Sequence, residues 1–391
     1  MSIKVRHTSS QRVNQIAPSG IRKFFDLIAS MEGVISLGVG EPDFTTPWHI
    51  REAAIYSLEK GQTMYTSNSG MPELRRELSI YLKASYNLSY DPDSELLITV
   101  GVSEALDLAA RAILDPGDEV IIPDPHYVSY DACVILAGGK PVMIPTSEED
   151  SFELKASAVE AQVTDKTKAI LIGYPANPTG AVMSREKLAK IAEIARRHRL
   201  LVISDEIYAR LVYGVKHTCF ATLPEMKEST ILLGGFSKAY AMTGWRIGYA
   251  AASKEIIAAM AKIHQYTIMC APTMAQVAAI EALKSGEPDV LEMVEDYNRR
   301  RLVMVKGLND IGLPCFEPRG AFYAFPSIKG SGMSSEEFAE KLLREEKVAV
   351  VPGTAFGQCG EGYVRCCYAT SLAEIEEALL RMGRFVKKQK K

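Results

Sequence analysis

Leu200-Leu-Val-Ile-Ser204 is an apolar run with no polar residue alternating through it, and Asp205-Glu-Ile-Tyr208 follows directly. A strand with one wet face alternates apolar and polar residues, whereas an uninterrupted run suits a strand buried on both faces of a mostly parallel sheet. Similar runs lie on either side: Glu95-Leu-Leu-Ile-Thr-Val100, Glu119-Val-Ile-Ile-Pro123, Lys168-Ala-Ile-Leu-Ile-Gly173 and Thr230-Ile-Leu-Leu233. Between two of them, residues 184–199 read as an amphipathic helix, with Ser184 as N-cap, Glu186 in the first turn, and Leu188, Ile191 and Ala195 as the apolar stripe. Short buried strands alternating with such helices predict an α/β fold, a three-layer sandwich around a mostly parallel sheet.

A different pattern follows. Residues 288–311 read as one long helix carrying Arg299-Arg-Arg301 and closed by Gly312 and Pro314. Then come an apolar strand over 320–326, a helix over 335–346, and strands over 348–351 and 362–368, which together predict a smaller α+β domain. The first 47 residues are too short to fold alone and are assigned to the smaller domain, giving 48–287 as the large domain and 1–47 with 288–391 as the small one.

Composition narrows the class of function. The 391 residues carry 45 basic and 48 acidic side chains, a formal charge of −3, so nothing attracts a polyanion and no nucleic-acid partner is expected. The basic tail Lys387-Lys-Gln-Lys-Lys391 reads as a solvated helix end. Seven cysteines, an odd count without Cys-x-x-Cys spacing, argue against a zinc site and a disulfide framework, so no metal is expected. No signal-peptide core opens the chain and no apolar run reaches membrane-spanning length, which predicts a cytoplasmic protein without a membrane partner.

Ligands of open α/β sheets sit beyond the carboxyl ends of the strands, so the polar residues there are the candidates. After Val100, Gly101-Val-Ser103 turns into a helix whose first amides and Ser103 hydroxyl can hold a phosphate; a plain strand-to-helix turn is the alternative. Tyr127 follows the Ile122 run and can lie against an aromatic ring or simply fill the core. Asn177-Pro-Thr-Gly180 offers an amide donor or marks a turn. Asp205 and Tyr208 end the Leu200 run, where a solvated acidic loop is the ordinary reading.

Gly234-Gly-Phe-Ser-Lys238 puts Lys238 just after a buried strand, where desolvation would free a nucleophilic amine, and Arg246 offers a planar fork for phosphate; a surface lysine and a surface arginine flanking a turn are the ordinary reading of such a pair. One ligand accounts for all of these together: a phosphate, an aromatic ring with a protonated nitrogen beside Asp205, a phenolic oxygen near Asn177 and Tyr208, and an aldehyde for Lys238. That ligand is pyridoxal 5′-phosphate.

The chain resembles the class I/II aminotransferases, fold-type I pyridoxal-phosphate enzymes related to aspartate and aromatic aminotransferases. The resemblance spans residues from about 15 to 385 and rests on Gly40-Glu-Pro-Asp-Phe44, Tyr65-Thr-x-x-x-Gly70, Asn177-Pro-Thr-Gly180, Asp205-Glu-Ile-Tyr208, the Ser237–Gly248 segment and Arg365. It implies that Lys238 is the catalytic lysine that binds the aldehyde, that Asp205 pairs the ring nitrogen, that Asn177 and Tyr208 hold the phenolic oxygen, and that Tyr127 stacks on the ring. It further implies a phosphate held by Ser237, Arg246, Ser103 and the amides of Val102 and Ser103, with Tyr65 supplied by the neighbouring subunit of a homodimer. Arg365, with Gly38 and Asn177, would bind the substrate carboxylate, and the segment from Ile16 to Ile21 would line the pocket mouth.

The implied reaction moves the amino group of an L-amino acid to a 2-oxo acid, commonly 2-oxoglutarate, with ping-pong kinetics. Aspartate-using relatives carry a lysine where Ser103 stands, which weakens an aspartate donor and favours aromatic or broad specificity, with alanine also in play. Three rivals are set against this: β-lyase or racemase chemistry on the same cofactor, an effector domain of a transcription regulator, and a nicotinamide dehydrogenase. The second needs a DNA-binding domain for which the short segment ahead of Gly33 leaves no room, and the third needs a glycine that Gly38-Val-Gly-Glu-Pro42 lacks.

Overall fold

The computed structural model describes residues 9–16 and 31–389. Its centre is a seven-stranded sheet of β2 (Leu96–Thr99), β3 (Glu119–Asp124), β4 (Lys140–Pro145), β5 (Thr167–Ile172), β6 (Leu201–Asp205), β7 (Thr230–Gly235) and β8 (Gly248–Ala251), in the order β2-β8-β7-β6-β5-β3-β4. Strands β3 to β7 pair in parallel, while β8 runs antiparallel to both its neighbours, β2 and β7.

The uninterrupted apolar runs have the expected cause. Successive strand residues point to opposite faces, and both faces are covered. Leu97, Val120, Ile122, Leu171, Ile203, Ile231 and Leu233 pack toward the helices Gly101–Ile113, Ser129–Ala137 and Lys254–Thr267. Their neighbours Ile98 and Leu232 meet the helices Pro72–Tyr86 and Thr273–Ser285, and Ile121, Ile170 and Val202 meet Arg185–Arg197. The chain is thus an α/β three-layer sandwich. At the last of these helices Ser184 is the N-cap, its hydroxyl accepting from Lys187 N.

Beyond residue 286, the helices Glu287–Asp310, Ser335–Glu346 and Leu372–Gln389 pack with β9 (Tyr323–Ala324), β10 (Val348–Ala349) and β12 (Val364–Cys367) around a further apolar core that Tyr208, Leu211 and Tyr213 also join, while Val351 of β11 (Val351–Pro352) packs with Ile121 and Ile170 of the large sheet. All three expected strands here are shorter than predicted, the 362–368 strand narrowing to Val364–Cys367. The 320–326 run is bent at Ala321, whose φ is +55°, so only Tyr323–Ala324 is strand. The 348–351 run is divided: Val348–Ala349 pairs in parallel with β1 (Ile35–Ser36), whereas Val351–Pro352 pairs with β12.

Candidate active site

A cavity of about 430 Å³ opens at the carboxyl ends of the parallel strands. It gathers Gly38, Val102, Ser103, Tyr127, Asn177, Asp205, Tyr208, Ser237, Lys238, Arg246 and Arg365, the expected residues that lie far apart in sequence. Tyr65 is not among them: it lies on the surface, 82% exposed. Of the expected mouth segment, residues 17–21 lie outside the described residues.

Lys238 sits in the turn after β7, partly buried, with Nζ donating to the Gly40 carbonyl at 2.6 Å. Loss of hydration lowers its pKa from 10.5 to about 8, as burial disfavours the ammonium. Asp205 is the last residue of β6 and shows the complementary shift. Burial raises its carboxyl to about 6, although Ile207 N donates to Oδ1 at 3.1 Å and Tyr130 Oη to Oδ2 at 2.9 Å. Among the described residues no cation pairs with this buried carboxylate at close range, and a protonated ring nitrogen would supply one.

The anion-binding end is built on the start of the helix Gly101–Ile113, whose N-cap position, Val100, contributes no side-chain cap to the first-turn amides. Gly101 has φ +72°, and a Cβ on it would lie 2.6 Å from Nη2 of Arg246. The glycine therefore makes a cradle in which Arg246, tied by Nη1 to the Thr243 carbonyl at 2.9 Å, stands over the helix end. Arg246 and Ser103 are exposed at the rim of the cavity, as a phosphate site reached from solvent requires.

At the opposite side Arg365 extends from β12 and is 4% exposed. Its Nη1 donates to Asn177 Oδ1 at 2.9 Å and Nη2 to the Gly38 carbonyl at 2.7 Å, while Nε has no acceptor among the described residues. The guanidinium lies 4.4 Å from the Tyr323 ring centre and 4.7 Å from that of Phe356. Gly38 and Asn177 are thus the direct partners of Arg365. With Asn177 Oδ1 accepting, its amide group remains free to donate into the cavity.

Sequence reasoning did not single out Tyr130 and Tyr323. The hydroxyls of Tyr323 and Tyr208 are 2.7 Å apart and hydrogen-bonded. Tyr323 lay hidden in an apolar run, where an aromatic residue reads as core; Tyr130 lies in the first turn of the helix Ser129–Ala137, three residues after Tyr127, where core packing also accounts for it. Among the described residues no cluster of His, Cys, Asp and Glu could hold a metal, and no helix is long and apolar enough to cross a membrane.

The residue set fits pyridoxal phosphate: an amine of lowered pKa, a buried carboxylate wanting a cation, a cradle for a phosphate and an arginine with an unused N–H. Comparison with known proteins gives the family. Residues 32–382 match the family described as aminotransferase class I and II. The chain is 60% identical over 379 residues to a putative aminotransferase, YugH, of Bacillus subtilis, covering 97% of this chain and 98% of that protein. It is 48% identical to an aspartate aminotransferase of Pyrococcus abyssi, covering 97% of this chain and 99% of the relative. Among solved structures, the aromatic aminotransferase of Pyrococcus horikoshii superposes with a TM-score of 0.90 at 47% identity, covering 95% of this chain and 99% of that one. The chain belongs to the class I and II aminotransferases and is an enzyme that transfers amino groups.

Proposed function

We propose that the enzyme uses pyridoxal phosphate to move the amino group of an L-amino acid to a 2-oxo acid, 2-oxoglutarate being the expected acceptor. The observation that carries this reading is the pairing of Lys238, whose pKa falls to about 8, with the buried Asp205 in one cavity. When bound, the cofactor supplies an aldehyde for the amino group and an electron-poor ring that accepts the electron pair left at the α-carbon.

The protein's share is binding, orientation and proton transfer. Asp205 pairs the ring nitrogen, and Asn177 and Tyr208 bind the phenolic oxygen. Tyr127 packs on the ring. Arg246, Ser103, Ser237 and the first amides of the helix after β2 hold the phosphate. Arg365 fixes the substrate α-carboxylate, with Gly38 and Asn177 bracing the guanidinium, so that the α-hydrogen is presented to Lys238. The Lys238 amine, half in its neutral form at pH 8, is placed to take the α-proton and to hold it for return.

The large domain is assigned to 48–287 and the small one to 1–47 with 288–391. The β1–β10 pairing joins the two chain ends, although Arg12 reaches back to the Leu136 carbonyl of the large domain at 3.0 Å. A homodimer is supported by the exposed apolar side chains of Met64, Tyr65, Tyr266, Ile268 and Met269, whose segments adjoin through the Asn68–Met269 and Thr273–Met64 hydrogen bonds. In that assembly Tyr65 reaches the partner's phosphate. A cytoplasmic location accords with seven unpaired cysteines.

Aromatic donors, alongside aspartate and alanine in a broad range, are supported by the similarity to both an aromatic and an aspartate aminotransferase. A panel of these donors with 2-oxoglutarate tests the reading: glutamate and the new oxo acid should appear one to one. Pyruvate and ammonia from a cysteine-like donor, with no glutamate, would assign β-lyase chemistry instead.

A further inference from the structure

Tyr130 occupies the first turn of the helix Ser129–Ala137, is 5% exposed, and donates to Oδ2 of Asp205 at 2.9 Å. Burial pushes its phenol far above the ordinary value, so the hydroxyl stays a donor throughout any working pH range. Room for that hydroxyl comes from Gly173, directly after β5, where an added Cβ would overlap Tyr130 Oη and lie 3.5 Å from the Asp205 Cβ. Gly173 is not in the left-handed region, so its backbone conformation does not demand glycine. The Tyr130 hydroxyl does. On its other sides the Tyr130 ring is stacked on His126, with centres 6.2 Å apart, and meets Tyr127 edge-on at 5.6 Å.

We propose that Tyr130 and Gly173 act as one positioning unit for Asp205, Gly173 admitting the hydroxyl that keeps the carboxylate ionised and oriented for a cationic ring nitrogen. The consequence for cofactor binding rests on the pyridoxal phosphate reading above. Hydrogen bonding to the ionised form favours it, so removing the Tyr130 donor leaves burial less opposed. The charged groups acting on Asp205 are Lys238, which favours ionisation, and Glu206, which opposes it; the Ile207 amide adds the second donor.

The test uses the full chain carrying ¹³C-labelled aspartate, as the wild type, Tyr130→Phe, Gly173→Ala and the double variant. In the cofactor-free proteins the Asp205 carboxyl should titrate near 6 in the wild type and about one unit higher in each variant, the size expected for one hydrogen bond to a charged group. Retention of pyridoxal phosphate should fall about tenfold in each single variant. The double variant should lose no more than either single, because phenylalanine at position 130 removes the oxygen that a methyl group at position 173 would displace. Packing roles alone predict losses that add, with an unmoved Asp205 titration, and either result overturns the proposal. Failure of the wild type to take up pyridoxal phosphate would sink the cofactor reading, while the carboxyl titration still decides the role of the pair.

Discussion

Gly101→Ala is the sharpest structural probe of the phosphate end. Gly101 has φ +72°, and an alanine Cβ would stand 2.6 Å from Nη2 and 3.2 Å from Cζ of Arg246. Two penalties follow. Left-handed backbone costs a non-glycine residue about 1–2 kcal/mol, which lowers stability. The second falls on ligand binding, since the Arg246 guanidinium must leave its cradle, yet its own φ of +51° and its bond to the Thr243 carbonyl limit where it can go. Loss of one charge-assisted hydrogen bond to phosphate costs about 1.5–3 kcal/mol, so the Kd for pyridoxal phosphate should rise about ten- to hundredfold. Absorbance titration of the cofactor-free variant measures this, with pyridoxal, which lacks the phosphate, as the internal control. Affinity for pyridoxal should be nearly unchanged. Equal losses for both compounds, or a loss of thermal stability with full affinity for the phosphorylated form, would refute the cradle argument.

Other expectations can be checked with the same preparations. Arg365→Lys removes the donors to Asn177 Oδ1 and the Gly38 carbonyl and the fork for a carboxylate; kcat/KM for every amino acid should fall about hundredfold or more, with pyridoxal phosphate affinity little changed. The Lys238 amine, lowered from 10.5 to about 8, reacts in its neutral form, which grows as pH rises. Cofactor uptake should therefore increase about fiftyfold from pH 6 to 8 and level off above, whereas an ordinary lysine would keep accelerating past pH 10. Ser184→Ala deletes the cap that accepts from Lys187 N; chemical denaturation should show a loss of about 1 kcal/mol with turnover unchanged.

Legibility followed burial. The strands β2, β3, β5, β6 and β7 announced themselves because both faces are covered and their runs are uniformly apolar. The edge strand β4 did not, being partly exposed, bounded by Lys140 and Pro145, and carrying Pro141. Strand β8 is four residues, Gly248-Tyr-Ala-Ala251, of low strand propensity. Small residues are needed there: a Cβ at Gly248 would lie 2.7 Å from the Gly101 backbone. Within the site, Asp205 and Asn177 each have an ordinary reading, an acidic loop and a turn, and became legible only because one ligand accounts for them together with Lys238; Arg365, inside β12, was legible only through the resemblance. Tyr130 and Tyr323 were not legible, since a tyrosine in an apolar context has core packing as a sufficient explanation, and only the hydroxyl contacts to Asp205 and Tyr208 reveal more. Tyr65 remains outside the cavity of its own chain, and its assigned role depends on a second copy.

The central claim is that Lys238 is the one lysine that engages the cofactor's aldehyde. Borohydride reduction of the pyridoxal-phosphate-loaded enzyme, followed by digestion and peptide mass mapping, tests it directly. The phosphopyridoxyl mass should appear on the peptide containing Lys238, in stoichiometric amount and lost in Lys238→Ala. Stoichiometric labelling of any other lysine, or undiminished specific labelling in Lys238→Ala, would contradict the account.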